Sequence, residues 1–312
     1  MRLFGLLHTA VGESNTANVK VGDDSLVPEL LVRNSIALWR SLEQSGIEFT
    51  LACSEPDRVE SICRRFGAPG VAVEEIGFPL EIPSGIPFYS AHHKIDLYRH
   101  LGSLPEEEYV GLVDLDVIAL GEPPPALTRG IERGTPLAYD ITQQVVPAFG
   151  RDAIVADLEL LAGFPTDGCW LGGELLAGRP SFFRALHEEI GRFYDVYVRE
   201  WPRFHHQGSE TLTSAAVARL RRRGLEIADA GSLGIITRFW SIPPRHPQPR
   251  LGRLPLPFLL HLPADKQFLA TLHPEEQVDA ERFLVAYRRH LRRRAVPNLG
   301  RRVLGPLRNA AG

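Results

Sequence analysis

The amino-acid sequence predicts an α/β fold with a mainly parallel central sheet and flanking helices. Short apolar segments rich in β-branched residues alternate with amphipathic segments in the first third of the chain. The predicted strands cover residues 2–9, 47–53 and 70–74, and the predicted helices cover residues 28–43 and 57–66. This β-α-β-α-β order is typical of parallel strands joined by helical crossovers.

The alternation continues to about residue 270. Further helices are predicted for residues 89–101 and 180–198 and for a segment that ends at residue 223, and further strands for 137–140, 169–177 and 258–261. The proline-rich segment 242–257 predicts an irregular loop. We therefore predict one domain over residues 1–270, followed by an arginine-rich helical tail over residues 271–312.

The composition is that of an ordinary globular chain. Its 312 residues are 44% hydrophobic and 23% charged, which is enough for a large core. The net charge of −3 gives no overall reason to expect nucleic-acid binding. The odd count of three cysteines, without metal-ligand spacing, argues against a disulfide framework. Because the first apolar segment is too short for a signal peptide and no apolar run approaches the length of a membrane span, we expect a cytoplasmic protein.

Two carboxylates, Asp114 and Asp116, interrupt the apolar segment 109–120. An unpaired buried carboxylate is costly or changes its pKa, and a divalent cation offsets that cost. Residues i and i+2 of a strand face the same side, so both acids can reach one ion, and their oxygen atoms suit Mg²⁺ or Mn²⁺. The alternative is a pair of loop acids that cap the turn before Gly121. Ligands of open α/β sheets bind at the carboxyl ends of strands, which favours the metal site.

Asp114-Leu115-Asp116 at a strand end resembles the DxD motif of GT-A nucleotide-sugar glycosyltransferases, especially the retaining glycogenin and lipopolysaccharide galactosyltransferase-like enzymes. Residues 88–101 are similar to the helix that precedes the DxD strand in these enzymes, and residues 169–176 are similar to their small-residue strand beside the sugars. Residues 207–212 are similar to their acidic turn, and residues 261–266 are similar to their late His-x-x-Gly-x-x-Lys segment. The resemblance spans about residues 2–270. The late segment departs from the pattern, because Ala264 replaces the glycine and the His-to-Lys spacing is one residue shorter.

The resemblance implies metal-dependent transfer of a sugar from a nucleoside-diphosphate sugar to a glycan or a lipid-linked glycan. Asp114, Asp116 and His261 would bind Mn²⁺ or Mg²⁺. The implied donor contacts are Thr9 and Ala10 at the base and ribose, Asp114 through the metal, and Lys266 at the diphosphate. Lys94, on a predicted helix, either contacts the donor or faces solvent.

The resemblance also implies two catalytic candidates. Glu210 would stabilise an oxocarbenium-like centre, act as a base or bind an acceptor hydroxyl, and the residues alone do not choose among these roles. Glu174, after a glycine pair, would contact the donor sugar or the acceptor. A metal and a lysine beside the leaving diphosphate would stabilise the charge that develops there.

The segment 281–312 carries nine arginines and one acid. This composition predicts either a solvated helix or a basic helix that lies on an anionic membrane, where each basic residue near the surface contributes ~1 kcal/mol of binding free energy. The second reading suits a peripheral enzyme with a lipid-linked acceptor. Nucleic acid is not expected as a partner, because no interleaving of aromatic and basic residues accompanies the arginines elsewhere.

Three other functions agree with part of the sequence. Haloacid-dehalogenase-like phosphohydrolases also carry Asp-x-Asp at a strand end, but they place a Thr or Val where this chain has Ile118, and their Gly-Asp-Asp segment follows the motif whereas Gly22-Asp23-Asp24 precedes it. A nucleotidyltransferase normally has a glycine-rich, basic first loop, unlike residues 10–14. A GT-A-like scaffold that binds a nucleotide sugar or a partner without turnover stays open.

Overall fold

Two β-sheets form the framework of the structure, which is a computed structural model that describes residues 1–8, 26–272 and 278–304. The strands are β1 Arg2–Leu7, β2 Glu48–Cys53, β3 Ala72–Glu75, β4 Val110–Val113, β5 Val117–Ala119, β6 Leu137–Asp140, β7 Leu171–Gly178, β8 Ala228–Asp229, β9 Ile236–Arg238 and β10 Leu259–His261. The larger sheet has the order β3-β2-β1-β4-β7-β6-β8, and the smaller has the order β5-β10-β9. In the larger sheet only β7 runs antiparallel to its neighbours, so the predicted α/β class with a mainly parallel sheet is confirmed.

Helices flank the larger sheet. They are α1 Val27–Leu42, α2 Pro56–Arg65, α3 Tyr89–His92, α4 Lys94–Gly102, α5 Pro125–Arg133, α6 Thr142–Phe149, α7 Arg151–Ala162, α8 Pro180–Glu200, α9 Ser209–Arg222, α10 Lys266–Leu269 and α11 Ala280–Leu304. Several of them start with a proline in the first turn, where the missing N–H has no partner to lose. Gly46 stops the first helical segment as predicted, because its φ of +66° is a left-handed conformation that favours glycine.

The main core lies between the larger sheet and these helices. Strand β1 shows why: Leu3 and Phe4 are consecutive residues with opposite orientations, and both are fully buried. A parallel strand covered on both faces has this pattern of continuous burial. Burial is likewise continuous over all eight residues of β7, which lies inside the sheet between β4 and β6.

A second apolar cluster joins the smaller sheet to α10 and to the first half of α11. Ile118 and Leu260 from the sheet contact Phe268, Phe283 and Tyr287 from the helices. The described start of the arginine-rich tail therefore packs on the domain, while the boundary at residue 270 stays a prediction. None of the described helices has an apolar stretch long enough to cross a membrane.

Three details differ from the sequence-based expectations. The helix predicted for residues 89–101 is divided at His93 into α3 and α4. The acid pair lies in a turn between β4 and β5 rather than within one strand. Helices α5, α6, α7 and α10 and strands β8 and β9 occupy regions for which no element is predicted. The proline-rich segment 242–257 is irregular as expected, apart from a short 3₁₀ turn at Leu251–Arg253.

Candidate active site

The acid pair lies where the chain passes from one sheet to the other. Asp114 follows β4 of the larger sheet, and Asp116 precedes β5 of the smaller sheet. Between them Leu115 is buried against Gly5 of β1, where an added Cβ would lie only 2.3 Å from the leucine Cδ2 atom. The acids are thus at the carboxyl end of β4 as predicted. Their convergence comes from this turn and not from the alternation of side chains along a strand.

The turn brings three candidate metal ligands together. Asp114, Asp116 and His261 each offer one ligand atom, and these atoms all lie within 4.8 Å of one another. Pairing of β10 with β5 places His261 opposite Val117, next to the acids. The His261 Nε2 atom is 3.1 Å from Asp116 Oδ1 and 4.0 Å from Asp114 Oδ2. Two carboxylates and one imidazole form a donor set that fits Mn²⁺ well, so these residues are suited to the implied cation.

A second layer of side chains fixes the imidazole. Glu174 Oε1 lies 3.2 Å from His261 Nδ1, which leaves the Nε2 atom facing the acid pair. Metal-binding histidines usually have such a partner on their other nitrogen. Glu174 is fully buried. Arg238 donates two hydrogen bonds to Glu174, from Nε to Oε1 at 2.7 Å and from Nη2 to Oε2 at 2.6 Å.

Each acid of the pair also has its own lysine. Lys94 Nζ donates to Asp114 Oδ1 at 2.5 Å and to the Gly173 carbonyl oxygen at 2.8 Å. Lys266 Nζ donates to Asp116 Oδ2 at 2.5 Å. Lys94 does not face solvent, because its side chain is only 11% exposed, and its contact with a donor stays a prediction. Only three of the chain's 35 lysine and arginine residues are lysines, and two of these three lie here.

Glu210 lies in the first turn of α9 and faces the same space. Its Oε1 atom accepts hydrogen bonds from the Gly173 N–H and from Arg238 Nη2, both at 3.2 Å. Its Oε2 atom accepts a hydrogen bond from the Trp170 indole at 3.2 Å. Burial by itself would raise the pKa of Glu210, but the nearby His206 and Arg238 outweigh burial and lower it. Glu210 is therefore held as an ionised carboxylate.

The charges of the cluster act on one another. Burial and the neighbouring Asp116 raise the pKa of Asp114, although Lys94 opposes this. Burial would also raise the pKa of Asp116, but Lys266 and His261 hold it well below its usual value. Burial would lower the pKa of His261, and the carboxylates of Asp116 and Glu174 instead raise it to about 9. The acid pair thus attracts positive charge strongly, as a cation site must.

A cavity of about 640 Å³ opens above the cluster. That volume is within the range of small-molecule sites. Its lining includes the charged residues Lys94, Asp114, Asp116, Glu210, Arg238, His261 and Lys266, which we call its floor, and the apolar residues Phe88, Phe149, Trp240, Ile242 and Pro243. Glu174 does not line the cavity. Thr9 and Ala10 lie outside the described residues, so the structure says nothing about their predicted contacts.

Phe88, at the cavity wall, has a strained backbone. Its φ of 57° is in the left-handed region, and it is the one residue other than glycine with a positive φ in the described part of the chain. Its ring stacks on His206 with 5.2 Å between ring centroids and 5° between ring planes. Bulky residues in this conformation concentrate at functional sites, where their surroundings enforce the strain.

Sequence reasoning missed Arg238 and Trp170. Arg238 ends β9 after the apolar pair Ile235-Ile236, so an arginine at the end of a short buried strand was the available signal. For Trp170 the signal was its position within the predicted small-residue strand 169–177. The residues that were predicted within the described part of the chain, Lys94, Asp114, Asp116, Glu174, Glu210, His261 and Lys266, all belong to this one cluster.

Comparison with known proteins gives similar folds but no matching sequence family. No protein-family model matches the chain, and no curated protein sequence matches it. The galactosyltransferase LgtC is similar at 14% identity and a TM-score of 0.48, over 88% of this chain and 98% of that chain. Mouse xyloside xylosyltransferase 1 is similar at 11% identity and a TM-score of 0.46, over 76% and 87%. These solved structures are of the class that the DxD motif predicts. At such low identity they assign no activity to this chain.

Proposed function

We propose that this chain is a metal-dependent glycosyltransferase that takes a sugar from a nucleoside-diphosphate sugar. The observation that carries the proposal is the convergence of Asp114, Asp116 and His261, with a lysine on each acid, at the floor of a 640 Å³ cavity. Such a site can neutralise a leaving diphosphate, which is the main electrostatic demand of the reaction. The acceptor proposed is a glycan or a lipid-linked glycan.

Each charged residue of the site has its own proposed role in binding the metal and the diphosphate. Asp114, Asp116 and His261 would hold Mn²⁺ or Mg²⁺, which when bound supplies Lewis-acid stabilisation of the phosphate oxygens. Lys266 would place its ammonium on the diphosphate. Lysine suits this role because it is a compact charge on a flexible stem and can move from a carboxylate to a ligand. Lys94 would make the corresponding contact on the other side, beside Asp114 and the donor sugar.

Glu210 is proposed to face the reacting sugar as a negative charge. A carboxylate that accepts hydrogen bonds from Arg238, Trp170 and Gly173 is a poor base, because these donors stabilise its ionised form. It is better suited to stabilising an oxocarbenium-like centre. Within the described residues, the acids that line the cavity are Glu210 and the metal-site pair, so no further carboxylate is available there as the base of an inverting reaction. This supports hexosyl transfer with retention.

Glu174 is assigned a positioning role. Because it is fully buried and does not line the cavity, it would orient His261 and not touch the sugars. Thr9 and Ala10 are retained as proposed contacts of the base and ribose on the strength of the family resemblance alone. Association of the basic tail with an anionic membrane is likewise retained as a proposal for the cellular location of the enzyme.

The test is a thermal-shift panel of nucleotide sugars, each with and without Mn²⁺. We expect one nucleotide sugar to raise the unfolding temperature in a Mn²⁺-dependent way, and we expect Asp116→Asn to abolish that increase. Asp195→Asn, on the exposed side of α8, is the matched control and should behave as wild type. Equal stabilisation of the wild type and the Asp116→Asn variant would reject the metal site.

The same ligand distinguishes the alternatives. Slow release of free sugar from the stabilising nucleotide sugar would indicate a transferase acting on water as a substitute acceptor. Release of a nucleoside monophosphate and a sugar 1-phosphate, without free sugar, would indicate hydrolysis of the diphosphate by a phosphohydrolase. Binding with no turnover over many hours would indicate a silent scaffold and would overturn the proposed activity.

A further inference from the structure

A buried carboxylate next to Lys266 is held entirely by the C-terminal helix. Asp265 has a side chain with 0% exposure. It accepts hydrogen bonds from Tyr287 Oη at 2.7 Å, from His290 Nε2 at 3.1 Å and from Arg294 Nη1 at 2.5 Å. All three donors belong to α11. Asp265 precedes α10 but makes no capping hydrogen bond to it, although an aspartate in that position usually does.

The same contacts reach the cavity rim and the segment before Lys266. Arg294 Nη1 also donates to Ser241 Oγ at 2.8 Å and to the Ala264 carbonyl oxygen at 3.3 Å. On its other side the segment meets the acid pair, because Lys266 Nζ donates to Asp116 and, at 3.2 Å, to the Pro263 carbonyl oxygen. Residues 263–266 are thus held between α11 and the candidate metal site.

We infer that Asp265, which accepts hydrogen bonds from Tyr287 and Arg294 of α11, is a positioning residue. It fixes where the ammonium group of Lys266 lies relative to a bound diphosphate. This inference rests on the proposed function, which gives Lys266 its ligand. The flexible stem of Lys266 does not fix its own ammonium, so its position depends on the backbone from which it extends. The arginine-rich tail therefore contributes to the active site through its first four turns.

A purely structural role for these contacts makes a different prediction. If they only held α11 on the domain, their loss would lower stability and leave the ligand site unchanged. A buried charge pair is weak evidence for stability as such, since apolar residues of the same volume often serve as well. The position of the carboxylate directly before Lys266 is what connects it with the site.

The test uses Arg294→Ala and Tyr287→Phe in the full chain, with Arg293→Ala as the matched control. Arg293 is exposed on the same turn of α11, and its loss removes the same charge. Inorganic pyrophosphate with Mg²⁺ is the probe, so the identity of the base does not matter. We expect Arg294→Ala to weaken pyrophosphate binding about tenfold, as loss of a supporting partner commonly does, and Arg293→Ala to leave it unchanged. Tyr287→Phe should weaken it in the same direction.

A second readout needs no ligand. Acetylation followed by mass spectrometry reports on the amine reactivity of each lysine, and Lys94 is an internal reference for Lys266. We expect Arg294→Ala to increase acetylation of Lys266 relative to Lys94. In a Lys266→Ala background, Arg294→Ala should have no further effect on pyrophosphate affinity, because partners in one pathway are not additive.

The outcomes separate the two proposals. If wild-type protein fails to bind pyrophosphate, the proposed function is rejected, and the acetylation ratio still decides whether α11 positions Lys266. If wild type binds and Arg294→Ala matches it in both affinity and acetylation, the positioning role is wrong. A lowered unfolding temperature alone would show that the contacts are merely structural.

Discussion

At the scale of single residues, the site is a chain of buried charges in which positive and negative groups alternate. The contacts run from Lys266 through Asp116, His261, Glu174 and Arg238 to Glu210, with Lys94 and Asp114 beside them. Each carboxylate has at least one cationic partner. A buried charge that loses its partner is strongly destabilising, so the members of the chain depend on one another.

Arg238 is the residue on which this balance depends most. Arg238→Ala would leave the fully buried Glu174 with His261 as its one remaining cationic partner among the described residues, and we expect a loss of about 3–5 kcal/mol in the free energy of unfolding, measured with urea. Arg238→Lys keeps the charge but loses the fork of two hydrogen bonds and should fall between alanine and wild type. Arg253→Ala, at an exposed arginine, is the control. A loss no larger than that of the control would contradict the dependence of Glu174 on Arg238.

The predictability of these residues follows from their chemistry. Asp114, Asp116 and His261 are polar residues at the ends of apolar segments, which is a clear pattern in the sequence, whereas Lys266 was predicted from the resemblance of residues 261–266 to the late family segment. Glu174 was harder to place, because all eight residues of β7 are buried and no alternation shows which side faces the cavity. For Arg238 the one signal was its position after the apolar pair Ile235-Ile236, and this signal was weak because arginine is by far the commonest cation of the chain and only the folded structure pairs it with Glu174.

At the scale of elements, the buried strands were the most predictable. Strands β1 and β2 match the predicted ranges closely, because continuous burial gives an unbroken apolar run. The helix before the acid pair was predicted as one piece, but the structure divides it at His93. His93 Nδ1 pairs with Asp96 Oδ2 at 2.8 Å, and its ring lies 3.9 Å from the ring of His8. Local propensity cannot foresee such a partner from the end of β1.

The tail helix yields a prediction about membranes. Among the side chains of α11 that the structure describes, Phe283 and Tyr287 are buried in the second cluster and Leu284 and Leu291 pack against it, so most of the large apolar side chains there are not available to a bilayer. We expect any membrane binding to be mainly electrostatic, through exposed arginines such as Arg288, Arg289 and Arg292. Sedimentation with anionic vesicles should then fall when these three are changed to glutamine and should decline steeply with salt. If the triple variant sediments with the vesicles as much as wild type does, the proposal of a membrane-bound tail is wrong.

At the scale of the whole molecule, the candidate metal site joins two sheets. Asp114 extends from the larger sheet, whereas Asp116 and His261 belong to the smaller one. A cation bound by all three would therefore connect both parts of the fold. Sequence order alone does not reveal this arrangement, because β5 follows β4 after three residues and yet enters a different sheet.

Metal should accordingly stabilise the entire chain. With Mn²⁺ at about 100 times its dissociation constant, we expect the free energy of unfolding to rise by about 2.7 kcal/mol and EDTA to reverse the gain. His261→Ala should weaken the affinity by a factor of about 10 or more. His187→Ala, at a histidine on α8 outside the cluster, should respond to Mn²⁺ as wild type does. A His261→Ala variant that gains as much stability from Mn²⁺ as wild type at limiting metal would exclude the imidazole as a ligand.

The wide separation of the ligands along the chain has a consequence for biosynthesis. His261 lies 145 residues after Asp116, so the ribosome makes both acids long before it makes the imidazole. Nascent chains generally fold from the N-terminal end, and the larger sheet has most of its strands before β10 is synthesised. A growing or prematurely ended chain would therefore display the acid pair without its third ligand. A chain contains all three candidate metal ligands after it has been translated beyond residue 261.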